Sequence, residues 1–147
     1  MKFEKIVDKI YNKLYEIQQI EEQTKIVTEI AMELGLDINH EDINIDVVKG
    51  TVILKKDISD NSKLYEKLLK IAQYIVGKDL RVSRIELVIS LIQPDELEKA
   101  GDVESRAREL GLEYLGYKKI SDSYYEDYVK IDNNVYLVIE NYKPEDC

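Results

Sequence analysis

A chain of 147 residues suits one domain, and a hydrophobic share of 44% supports a packed core, which excludes a disordered protein. The net charge of −9 is drawn from acidic ends that repel phosphate over about a Debye length, so general nucleic-acid binding is disfavoured. There is no apolar run of about 20 residues and no signal-like leader, so a cytoplasmic protein without a transmembrane segment is expected.

Charge is unevenly placed. Residues 1–48 carry 5 basic and 11 acidic groups, residues 49–84 carry 9 and 4, and residues 85–147 carry 7 and 15. A basic band therefore sits in an acidic chain. Charged residues reach 35% with few Gly and Pro, a balance compatible with a thermophilic protein. Cys147 is the only cysteine, which rules out an internal disulfide.

Residues 2–34 read as one helix. Phe3, Ile6, Val7, Ile10, Leu14 and Ile17 recur at three- and four-residue steps, and the stripe continues through Ile20, Val27, Ile30 and Ala31 to Leu34. Gly35 is its stop. A straight helix of that length spans about 50 Å, against a radius of gyration of about 15 Å for a compact domain of this size. It therefore bends near residues 18–24 or projects and packs on another chain. The second option predicts a homo-oligomer through residues 2–20.

Ile43, Ile45 and Val47 alternate with polar residues, and Val52 and Leu54 resume the alternation after Lys49-Gly50, which predicts a hairpin. Asp60 or Ser62 is placed to cap a helix running to Val76, with Leu68, Ile71, Ala72 and Ile75 on its buried stripe. Leu80–Ile92 follows as a strand. Pro94-Asp95-Glu96 has the chemistry of a helix opening, interrupted at Gly101-Asp102 and ending at Leu110. Three strands close the chain, Glu113–Ile120, Tyr124–Ile131 and Val135–Tyr142, with Asp132-Asn133-Asn134 as the last turn.

The fold class is thus α+β. An α-β-β-α-β half, residues 1–92, precedes an α-β-β-β half, residues 93–147, and helices pack a mostly antiparallel or mixed sheet. With no linker between them, the halves are expected to form a single compact unit.

In the first half, Gly50 is followed by Val52, Leu54 and Ile58. Ile71-Ala72 and Ile75-Val76 precede Gly77, and Ile85 and Leu87 come after it. Over roughly residues 24–90 this order and spacing resembles the BON domain. Two positions depart from that family's pattern: Lys56 stands where a second Gly is usual, and Lys78 where an apolar residue is. The resemblance implies a non-enzymatic binding module, associated in the family with phospholipid surfaces or with sensory and envelope partners.

Three constellations carry chemistry. Lys55, Lys56, Arg81 and Arg84 in the basic band suit an anionic lipid or ligand, or an acidic protein surface. Seven of the 11 tyrosines fall in residues 114–142. Of these, Tyr124 and Tyr128 share one strand face with Glu126, and Tyr125 shares the other with Asp127 and Val129, which suits an interaction surface. Asp37, His40, Glu41 and Asp42 crowd one loop, but adjacent side chains there diverge and His40 is the only histidine, so a polar loop is expected rather than a metal site. No cofactor motif occurs, and none is expected.

The resulting expectation is a non-enzymatic binding or assembly protein. It would use the basic hairpin region or the Tyr-rich sheet to hold a protein partner or an anionic ligand. Two alternatives stay open: a small cytoplasmic enzyme or enzyme subunit with carboxylate-based chemistry, and a lipid- or ligand-responsive regulator.

Overall fold

A computed structural model of the chain describes residues 2–46, 49–94 and 97–144. Val47, the pair Asp95-Glu96 and Cys147 lie outside the described residues. The fold is α+β. Its helices are α1 (Lys2–Glu33), α2 (Ser62–Val76) and α3 (Gly101–Glu109), with a short 3-10 turn at His40–Asp42. Its strands are β1 (Ile43–Asp46), β2 (Thr51–Asp57), β3 (Arg81–Ser90), β4 (Glu113–Lys119), β5 (Tyr124–Asp132) and β6 (Val135–Tyr142). They form one six-stranded antiparallel sheet in the order β1-β2-β3-β6-β5-β4. Among the described residues no helix is long and apolar enough to cross a membrane.

The chain divides into two compact units, residues 1–54 with 89–91, and residues 55–88 with 92–147. In the first, α1 runs unbroken and ends at Gly35, whose φ of 75° is a conformation that only Gly adopts cheaply. The Leu36 N–H then reaches back to the Ala31 carbonyl at 3.1 Å, and the Gly35 N–H to Met32 at 3.0 Å. This pairing satisfies carbonyls that the helix end would otherwise leave unbonded. Gly111 ends α3 by the same bonds, Leu112 to Ala107 and Gly111 to Arg108.

The β1–β2 hairpin pairs Ile43 with Leu54 and Asp46 with Thr51. A side chain of α1, Gln23, bonds its backbone twice. The Gln23 amide donates to the Gly50 carbonyl at 3.0 Å and accepts from the Val52 N–H at 3.0 Å. Val27, Ala31, Val52 and Leu54 are fully buried. Every residue of α1 from Lys2 to Gln19 is exposed.

In the second unit, α2 is capped by Asn61, whose side-chain oxygen accepts from the Leu64 N–H at 3.3 Å; neither Asp60 nor Ser62 takes that role. α2 packs on α3, and α3 on β4. Arg106 of α3 donates to the last carbonyls of α2, Ile75 at 2.8 Å and Val76 at 3.2 Å. A guanidinium there complements the negative end of the helix dipole. β6 is buried at five successive positions, Val135 to Ile139, as a strand covered on both faces must be.

The helix opening expected at Pro94 is not found where the chain is described. Leu97 to Ala100 lie outside any helix, and Glu98 instead forms a bridge with Tyr117, whose N–H reaches the Glu98 carbonyl at 2.7 Å. Gly116 permits that approach, because a Cβ there would stand 2.5 Å from Leu97 Cβ and 2.6 Å from the Glu98 oxygen. Pairing with β4 outweighs the local helix signal.

Candidate functional site

The basic band does not form a single patch. Lys55 and Lys56 are successive on β2, so they point to opposite faces of the sheet. Arg81 and Arg84 are exposed on β3. Arg84 is engaged: its Nε contacts Asp57 Oδ2 at 3.2 Å and its Nη2 contacts Glu86 Oε2 at 3.3 Å. Burial raises the pKa of Asp57, but hydrogen bonds from Ser59 and the Arg84 guanidinium outweigh it and hold the carboxyl below its usual value.

The tyrosines divide between the two faces of β5. On one face Tyr124 lies opposite Tyr142, with ring centroids 5.3 Å apart, and the Tyr128 hydroxyl donates to Glu126 at 3.3 Å. Burial first, and then the Glu126 charge, push the Tyr128 phenol up to about 12. On the other face Tyr125 meets Tyr117 edge-on, centroids 6.0 Å apart with planes at 75°.

On this second face Asp127 is joined by Tyr114 and Asn141 in a polar cluster, two partners that the alternation of β5 alone does not disclose. The register of β4 on β5 slips between Tyr114 and Gly116, so Tyr114 stands opposite Val129 and Tyr117 opposite Asp127, on one face although three residues apart. Asp127 is buried, with only 3% of its surface exposed. Its Oδ1 accepts from the Tyr114 hydroxyl at 2.8 Å and its Oδ2 from the Asn141 side-chain amide at 2.7 Å. Asn141 is fully buried and also donates to the Ile139 carbonyl at 3.1 Å, and among the described residues its Oδ1 has no partner. Burial pushes the Asp127 carboxyl up, against the two hydrogen bonds that favour its charged form. Burial and the same carboxylate push the Tyr114 phenol far up.

Asp127 and Asn141 line a cavity of about 530 Å³, within the range that holds small organic ligands. Val76, Leu80 and Val103 give it apolar wall; Tyr117 and Tyr125 give it aromatic wall. Asp102 and Asp122 are at its edge, each with a basic neighbour: Arg106 at 3.2 Å and Lys119 at 3.6 Å. Among the described residues the hydrogen-bond partners of Asp127 are both neutral.

The sequence did contain a signal for this site. Asp127 occupies an inward phase between Tyr125 and Val129, and Asn141 ends the inward row Val135, Leu137, Ile139. Polar residues in core phase require partners.

His40 is exposed in the 3-10 turn, where the Asp42 carboxylate accepts from the Asn39 N–H at 2.8 Å. Among the described residues there is no cluster of three or more His, Cys, Asp or Glu suited to a metal ion. No protein-family model matches the chain, and neither a curated protein nor a solved structure matches it.

Proposed function

We propose that this is a binding and assembly protein that pairs with a second copy of itself through the first half of α1. One observation carries the reading. Phe3, Val7, Ile10, Leu14 and Ile17 follow at alternating four- and three-residue steps, and they are exposed by 70%, 46%, 64%, 51% and 47%. That is a coiled-coil seam facing water. The seam leads into the part of the same helix where Val27 and Ala31 are buried.

The charges of α1 favour a copy running antiparallel. Lys2, Lys5, Lys9 and Lys13 outnumber Glu4 and Asp8 in the first segment, whereas Glu16, Glu21, Glu22, Glu29 and Glu33 face a single Lys25 in the second. Both ends oppose the helix's own dipole, which prefers acid at the start and base at the end. An antiparallel neighbour offsets this by setting the basic segment of each helix against Glu16, Glu21 and Glu22 of the other. The basic band, with Arg84 already paired, is the weaker candidate for the main contact.

Light scattering on the purified chain at high micromolar concentration should give about twice the 17.2 kDa monomer mass. Changing Ile10 and Leu14 together to Glu should return the monomer, because a charge buried without a partner is costly. Lys2→Glu with Lys9→Glu should also weaken the pair, since it turns the first segment from net +2 to net −2. A parallel pair would meet like charge either way and be left unchanged. A monomeric parent chain would overturn the proposal.

A further inference from the structure

The geometry points to a ligand for the cavity beside α3: a small organic ammonium ion, its apolar body against Val103 and Leu80 and its charge facing Asp127 and the Tyr117–Tyr125 corner. This goes beyond self-association and rests on different residues. Asp127 is a buried carboxylate on the cavity wall, yet its described partners are a phenol and an amide, both neutral. Buried charges are ordinarily paired. Of the basic groups about it, Arg106 is occupied by the Ile75 and Val76 carbonyls and by Asp102, and Lys143 is an exposed residue of the lining that forms no ion pair with Asp127 among the described residues.

Three carboxylates line the cavity, Asp102, Asp122 and Asp127, against a single described cation, Lys143. Asp127 is held ready by two hydrogen bonds, and among the described residues the buried Oδ1 of Asn141 is unpartnered. A ligand rich in N–H donors fits that polarity, and an anion does not. Tyr117 and Tyr125, set nearly perpendicular, present a ring face and a ring edge, and a cation is drawn to such faces. The apolar residues require that the cation carry a hydrocarbon body rather than be a bare ion.

The test is an NMR titration of the full chain, observing backbone amides, with 2-phenylethylammonium chloride and, in parallel, the neutral isostere 2-phenylethanol. The amine should shift amides at Ala100–Val103, Tyr117, Ser123–Asp127 and Asn141, the residues around the cavity. The alcohol should bind about tenfold more weakly, the ratio that one charge-assisted contact is worth. Asp127→Asn should lose affinity by a similar factor, and Tyr125→Leu by a smaller one. Equal binding of amine and alcohol overturns the proposal, as does a titration in which the cavity amides stay still. The amine-to-alcohol ratio on the parent chain decides the matter without Asp127→Asn, should that variant fail to fold.

Discussion

Gln23 is a side chain of α1 that bonds the hairpin backbone at two points, and its removal has a calculable cost. In Gln23→Ala the Val52 N–H loses its acceptor, and Val52 is fully buried. A buried donor left unpaired costs about 1–3 kcal/mol. The Gly50 carbonyl is exposed, so water replaces the lost amide there at a cost of about 0.5 kcal/mol. The freed rotamers of Gln23 return part of this, up to about 1.5 kcal/mol. The expected net loss is therefore about 1–2 kcal/mol. Gln23→Glu separates the two bonds. Its carboxylate still accepts from Val52 but repels the Gly50 oxygen, so at neutral pH it should fall between Gln and Ala. Acidification should bring it back toward the parent, because a protonated Glu can donate to Gly50. Urea unfolding followed by circular dichroism measures the stabilities, and hydrogen exchange at the Val52 amide reports the local bond. If Ala costs nothing, or Glu is as poor as Ala at every pH, Gln23 is not a tether.

Two further outcomes follow from the second unit. Because burial raises the Asp127 carboxyl, the folded chain holds that proton more tightly than the unfolded one; its contribution to stability is full below the unfolded value of about 4 and declines as pH rises through the folded value. Urea melts of the parent and Asp127→Asn at a series of pH values should show the parent losing ground as pH rises; a gap that is constant or moves the other way refutes this. Gly116→Ala would force a Cβ against the Glu98 backbone at a φ of 131°, and should cost about 3 kcal/mol from strain and overlap together; a thermal midpoint unchanged from the parent would show that the Leu97–Ala100 segment yields freely.

The local elements were legible because their causes are local. Alternation in "INID" and "TVILKKD", the stripe of α2, and the turn before Val135 can all be read from neighbouring residues. Asn134 even takes the φ of 61° that an Asn turn tolerates. The Pro94 opening misled for the converse reason. Proline followed by two acids is a sound helix start, but its described continuation pairs with Tyr117, a residue about twenty positions away that no local rule consults. Arg106 was hidden in the same way. It sits in a charged helix like any surface residue, and its task is set by carbonyls 30 and 31 residues earlier.

Strand order shows what remains readable at long range. The chain leaves β3 and makes β4 next, yet β4 goes to the sheet edge and β6, the last strand, takes the place beside β3. Alternation alone suits either neighbour. Burial demand separates them. β6 offers Val-Tyr-Leu-Val-Ile without a polar break, which only a strand covered on both faces can use. β4 offers Glu113, Gly116 and two lysines at its end, the composition of an edge that must discourage further pairing. The cavity is lined by Tyr117 of β4, Tyr125 and Asp127 of β5 and Asn141 of β6. The inward rows of β5 and β6 turn from apolar to polar at Asp127 and Asn141, which are as deeply buried as the hydrocarbon beside them, so their polarity calls for partners inside the protein rather than solvent.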